Sequence, residues 1–150
     1  MKKYLKVISQ SPEETKAIGK AFALSASKDF LNNQALVICI WGDLGSGKTT
    51  FVLGFLRYFG IKPHAASPTF VILKRYFSKK ESFNIYHLDA YRLHSKKDLD
   101  ILGFDEIINN PKNIVLIEWP QKIKARFKNS VKISFSFGKK ENERIIYFYK

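Results

Sequence analysis

With 150 residues, 45% of them hydrophobic, and a single cysteine, the chain is expected to form one compact domain. A chain of this length buries about 70% of its unfolded surface, so it needs no disulfide framework or structural metal. Its basic start, Met1-Lys2-Lys3, leads into no long apolar segment, and no run approaches the roughly 18 apolar residues of a membrane span, so a cytoplasmic, reducing setting is expected. The net charge of +13 leaves nucleic acid, an acidic protein face or a merely solvated basic surface open as its meaning.

Taken in chain order, residues 4–9 alternate like a strand. Ser11-Pro12-Glu13-Glu14 then supplies an N-cap, a proline at the first helical position and a glutamate at the capping-box position. A helix of about four turns is predicted from there to Ala26, with Ile18 and Phe22 on its packing line and Ala21 and Ser25 alongside. The continuous apolar run Ala35-Leu36-Val37-Ile38-Cys39-Ile40 reads as a strand buried on both faces, with Cys39 a packed thiol.

Directly after that strand, Gly42-Asp43-Leu44-Gly45-Ser46-Gly47-Lys48-Thr49 fits the phosphate-binding loop pattern G-x-x-x-x-G-K-[ST]. Glycines at 42, 45 and 47 let the backbone curl so that successive N–H groups and the following helix N-terminus face a phosphate. In this pattern Gly45, Ser46 and Gly47 cradle the phosphates and Lys48 places a charge at the β/γ-phosphates. Thr49 offers its hydroxyl to Mg2+, and Thr50 reaches toward the α-phosphate. The chain is therefore predicted to bind a nucleoside triphosphate with Mg2+, on a helix over residues 48–59 that Gly60 ends.

Residues 69–77 and 83–88 read as a hairpin around Ser78-Lys79-Lys80-Glu81-Ser82. Helical turns are expected over 96–109, broken at Gly103. Residues 113–117 form a second parallel-type run, and 131–137 with 144–149 a terminal hairpin. Phe135, Phe137, Phe148 and Tyr149, which alternate along these last strands, are read as core. The fold class is α/β, a single P-loop domain over residues 1–150 with a mixed central sheet flanked by helices.

A triphosphate site also needs acids at the carboxyl ends of its strands. Glu118, after Ile114-Val115-Leu116-Ile117, stands where a metal-holding acid is expected, and Asp89, after Asn84-Ile85-Tyr86-His87-Leu88, where a residue orienting the attacking water belongs. Either residue also fits a cap or an ion pair, Asp89 with Arg92 in particular. His87 is read as a packed strand histidine. Guanine specificity is unsupported: Asp100-Ile101-Leu102-Gly103 matches a GTPase switch only by letter, and Ser95-Lys96-Lys97-Asp98 comes in the wrong order for a guanine motif. ATP is the default.

The charge is unevenly placed. Nine Lys/Arg face two Glu from residue 121 to 150, and residues 57–80 carry six basic side chains and no acidic one. Direct nucleic-acid contact, a basic face for an acidic partner and a solvated surface all remain open from charge alone.

Five segments in order, residues 42–51, Ser67-Pro68-Thr69-Phe70, residues 86–93, Leu102-Gly103-Phe104-Asp105-Glu106 and Ile117-Glu118-Trp119-Pro120, resemble the TsaE (YjeE) family. These are small bacterial ATPases of tRNA threonylcarbamoyladenosine biosynthesis. The resemblance covers about three quarters of the chain and fades beyond Pro120. It implies that ATP hydrolysis serves a TsaD–TsaB partner complex, which performs the transfer to tRNA. It also implies that Lys48, Asp89 and Glu118 are the catalytic residues and that Thr49 and Glu118 hold the metal. Residues 67–70 would be a loop sensing the γ-phosphate, Trp119 a reporter or partner contact, and Thr15 a neighbour of adenine. Ser46 stands where the family usually has alanine, and Gln121 replaces a common glutamate. No arginine finger is evident within the chain, so weak intrinsic turnover is expected. A nucleotide-dependent binding module with incidental hydrolysis and a small P-loop kinase are the alternatives, although 150 residues leave little room for a kinase lid and acceptor domain.

Overall fold

The computed structural model describes residues 3–27, 33–63, 72–123, 127 and 129–149. Its strands are β1 (Lys3–Ser9), β2 (Leu36–Trp41), β3 (Leu73–Ser78), β4 (Phe83–Asp89), β5 (Asn113–Glu118), β6 (Val131–Phe137) and β7 (Arg144–Tyr149). Its α-helices are α1 (Pro12–Ala26), α2 (Lys48–Tyr58), α3 (Lys96–Ile101) and α4 (Phe104–Asn109). All seven strands join one sheet in the order β1-β7-β6-β2-β5-β4-β3. The four central strands β6, β2, β5 and β4 run parallel, and the flanking pairings are antiparallel.

That order gathers the chemistry at one edge. Because β6, β2, β5 and β4 point the same way, the loop after β2 and the last residues of β4 and β5 emerge together, Asp89 directly beside Glu118. Antiparallel β7 begins at the same edge with Arg144, and β1 ends there with Ser9, the two being cross-strand partners. This is the carboxyl-end location at which open α/β sheets bind ligands.

The helices close the two faces. α1 and α2 cover one face, over Ile38, Ile40, Ile85, Ile114, Leu116, Ile133 and Phe135. α3, α4 and the turns at Ala90–Arg92 and Pro120–Ile123 cover Val37, Cys39, Leu88, Val115 and Ile117 on the other. Every residue of β5 is buried, residues 114–117 as their unbroken apolar run predicts and Asn113 and Glu118 through hydrogen bonds. Burial pushes the Cys39 thiol pKa up to about 11, with Ser130 and Lys132 opposing the shift, so it is a protonated packing group.

The local signals mostly act as read. Ser11 caps α1, its hydroxyl accepting from the Glu14 N–H at 3.1 Å, while the Glu14 carboxylate accepts from Gln10 N at 2.7 Å. Gly60 ends α2 at φ 73° and Gly103 separates α3 from α4 at φ 64°, both left-handed conformations that favour glycine. β3 and β4 form the predicted antiparallel hairpin. The expected strand start at 69 and the Ser67–Phe70 loop lie outside the described residues.

Two packing expectations are corrected. The fully buried line of α1 is Thr15, Gly19, Ala23 and Ala26; Ile18 and Phe22 pack against the core beside it as expected, whereas Ala21 and Ser25 do not. Ala21 and Ser25 are exposed, and Ile18 and Phe22 are half-buried, Phe22 packing 5.4 Å from the Phe148 ring. The reason is the close crossing of α1 and α2. A Cβ on Gly19 would collide with the Phe51 carbonyl oxygen, and one on Gly54 with the Lys16 carbonyl oxygen, so the seam takes small residues. Phe135 and Phe148 are core, whereas Phe137 is 49% exposed beside the hairpin turn and Tyr149 is half-buried.

Candidate nucleotide-binding site

The loop between β2 and α2 is bent by three glycines with positive φ: Gly42 at 145°, Gly45 at 74° and Gly47 at 99°. At Gly42 the constraint is also spatial, because a Cβ would lie 2.9 Å from both the Cβ and the carbonyl oxygen of Phe135 on β6. Gly47 is the N-cap of α2, in a conformation that turns the chain into the helix. The free N–H groups and positive dipole end of α2 therefore open onto the concave side of the loop.

Lys48 is 4% exposed and folds back into this loop, its ammonium donating to the carbonyls of Gly42 and Asp43, both at 2.8 Å. The same ammonium lies 4.1 Å from the centroid of the Trp119 ring. Burial lowers the Lys48 pKa below the usual lysine value, and the charges of Glu118, Asp89 and Asp43 oppose that shift.

Glu118, 2% exposed at the end of β5, accepts the Thr49 hydroxyl on both carboxylate oxygens at 3.0 Å and lies 2.8 Å from His87 Nε2. His87 is two residues before Asp89 on β4, so strand alternation puts both on the face that α2 covers. His87 is the packed strand histidine expected from the sequence, and its partner Glu118 joins it to the acidic end of the site. Its position relative to Asp89 was legible in the sequence, but the β4–β5 register that sets it against Glu118 was not.

The chain thus brings Gly45, Ser46, Gly47, Lys48, Thr49, Thr50 and Glu118 together around the start of α2. Asp89 sits at the neighbouring strand end, with its carboxylate accepting from Tyr91 N at 3.1 Å and capping the Ala90–Arg92 turn. Thr15 flanks the loop from the other side. Its hydroxyl is engaged with Ser9 Oγ at 2.7 Å and the Ser11 carbonyl at 3.2 Å, while its methyl lies 3.7 Å from where a Gly47 Cβ would stand. Ser46 Oγ is buried without a hydrogen-bond partner among the described residues. Trp119 holds φ 58°, unusual for a bulky residue, and packs 5.1 Å from the Tyr91 ring.

A residue the sequence reading left out is Arg144, whose guanidinium donates to the Gly45 carbonyl at 3.2 Å. A basic residue at a strand start carries no local mark of that role. Thr49 and Glu118 form a donor set of hard oxygens, the chemistry that suits Mg2+ alongside phosphates. Among the described residues no group of three or more His, Cys, Asp or Glu side chains is placed to hold a metal. No described helix is long and apolar enough to cross a membrane.

Comparison with known proteins agrees with this geometry. The family model for the threonylcarbamoyl adenosine biosynthesis protein TsaE matches residues 9–146. The tRNA threonylcarbamoyladenosine biosynthesis protein TsaE of Rickettsia conorii is 41% identical over 115 residues, 76% of this chain and 60% of that protein. Its Bacillus subtilis counterpart is 38% identical over 124 residues, 83% of this chain and 72% of that protein. The chain spans 60% and 64% of the length of the Rickettsia conorii and Rickettsia felis relatives. The crystal structure of Bacillus subtilis YdiB superposes with a TM-score of 0.72 at 31% identity, covering 99% of this chain and 86% of that one. With the family model matched over residues 9–146, and relatives 38–41% identical over three quarters or more of the chain, the chain belongs to the TsaE family.

Proposed function

We propose that this chain is a Mg2+-dependent ATPase of tRNA threonylcarbamoyladenosine biosynthesis, acting on and activated by a TsaD–TsaB-type complex that carries out the transfer itself. The observation that supports it most is the Thr49–Glu118 hydrogen bond beside Lys48, inside a glycine-bent loop at a helix N-terminus. Such an arrangement combines N–H donors, a cation and a metal-type oxygen pair at one point.

In this reading the loop amides and Lys48 bind the phosphates, and Thr49 with Glu118 holds Mg2+. When bound, the metal neutralises phosphate charge and orients the chain of phosphates. Thr50 contributes at the α-phosphate, and Thr15 borders the nucleoside end. Asp89, at the strand end beside Glu118, orients the attacking water and takes up its proton. Intrinsic turnover is low because no arginine finger is evident within the chain, and the partner complex completes the site. The test is Mg2+-dependent phosphate release from ATP, with and without the cognate TsaD–TsaB pair and with Lys48→Ala as blank. Stimulation by the pair that Lys48→Ala abolishes is expected; an unchanged rate with the pair bound sinks the activation.

The turn-capping role of Asp89 also favours a second reading, a nucleotide-dependent binding module whose hydrolysis is incidental. Under it Asp89→Ala retains ATP-dependent capture of the partner and supports the modification, whereas under the first the modification is lost.

A further inference from the structure

We propose that Arg144 is a positioning residue for the phosphate-binding loop, holding the Gly45–Ser46 peptide in the orientation that phosphate binding needs. The inference rests on the reading of this loop as a nucleotide site and adds a residue from the far end of the chain.

Packing among the described residues does not restrain Gly45. It is exposed, and a Cβ placed on it would meet no atom within 4 Å, so packing does not select its conformation. The Gly45–Ser46 peptide plane is held instead by two hydrogen bonds, one at each end. Its carbonyl accepts from Arg144 Nη2 at 3.2 Å, and its N–H, that of Ser46, donates to the Asp43 carbonyl at 3.2 Å. Rotating the plane breaks both bonds, and with a glycine on one side no steric barrier replaces them.

Arg144 is itself fixed. Its Nη1 donates to the carbonyls of Glu141 at 2.7 Å and Glu143 at 2.9 Å, and its guanidinium lies 4.9 Å from the centroid of the Phe137 ring. The β6–β7 turn thus presents a pre-ordered fork to the loop, a geometry a lysine point charge does not reproduce. The Arg144 Cγ also lies 3.7 Å from where a Gly47 Cβ would stand, so one side chain borders the loop from Gly45 to the N-cap of α2. A loop ordered before binding spends less of its interaction energy on ordering, which appears as affinity.

The experiment uses the full chain and its Arg144→Ala and Arg144→Lys variants. Amide hydrogen exchange at Ser46 and Gly47, without nucleotide, reads the loop directly, and calorimetry reads ADP and inorganic pyrophosphate binding with Mg2+. Arg144→Ala is expected to speed exchange at both amides and to weaken both ligands by a common factor of about ten. Arg144→Lys should fall between wild type and Arg144→Ala in both readouts. If Arg144→Ala does not fold, the lysine variant carries the comparison. Unchanged exchange with unchanged affinities overturns the proposal. So does a loss confined to ADP with pyrophosphate unaffected, which assigns Arg144 to direct nucleoside contact. Wild-type protein that binds neither ligand overturns the nucleotide reading, while the exchange result still decides whether Arg144 restrains the loop.

Discussion

Glu118 is almost fully buried, and its carboxylate is held by the Thr49 hydroxyl and by His87. A buried carboxylate with two partners has one orientation, which matters if it is to present oxygens to a cation. His87→Ala leaves that orientation unsupported. We expect the Mg2+ concentration for half-maximal phosphate release to rise about 10- to 100-fold, with metal-free ADP binding unchanged, as a magnesium titration beside metal-free calorimetry will show. Lys48, Thr49 and Glu118 were legible because a phosphate loop has a fixed spacing and a strand-end acid a fixed context. His87 and Arg144 were not, since each acts through a partner 31 or 99 residues away.

Among elements, the crossing of α1 and α2 carries the sharpest constraint. Gly19 and Gly54 each face a backbone carbonyl of the opposite helix. Alanine in a helix interior ordinarily gains roughly 0.5–1 kcal/mol over glycine, but here its methyl has no room. Gly19→Ala is expected to destabilise by about 1–3 kcal/mol, read as a lower urea midpoint at unchanged m-value. Periodicity placed α1 correctly along the chain and found Ile18 and Phe22, which pack against the core, but missed the fully buried small residues, because hydrophobicity scales reward large apolar side chains while a close crossing rewards small ones. The start of α3 offers a pH test. Backbone N–H groups of His94 and Ser95 hydrogen-bond the Asp98 carboxylate and hold its pKa below the ordinary value. A depressed carboxylate stabilises above its unfolded pKa, and the contribution is lost as pH falls through the folded one. Asp98→Asn should therefore lower Tm at pH 7, and the difference from wild type should shrink as acid protonates Asp98.

At the scale of the whole molecule, β7 lies between β1 and β6, so the last strand of the chain is an interior strand of the sheet. Its Phe148 packs 5.4 Å from Phe22 of α1 and 6.4 Å from Phe51 of α2, tying the terminal hairpin to the helix that follows the loop. Removing residues 138–150 strips β1 of its partner, opens the aromatic cluster and deletes Arg144. Cooperative thermal unfolding, followed by circular dichroism, is expected to be lost altogether, whereas a chain with an independent terminal unit would keep it. The sequence by itself determined the elements, the phosphate loop and the strand-end acids, because these depend on periodicity, caps and short spacings among neighbouring residues. Only the tertiary structure decided the strand order that joins Glu118 to His87, the small-residue seam between α1 and α2, and the reach of Arg144 to Gly45. Those depend on register and close approach between distant segments, which no local pattern encodes.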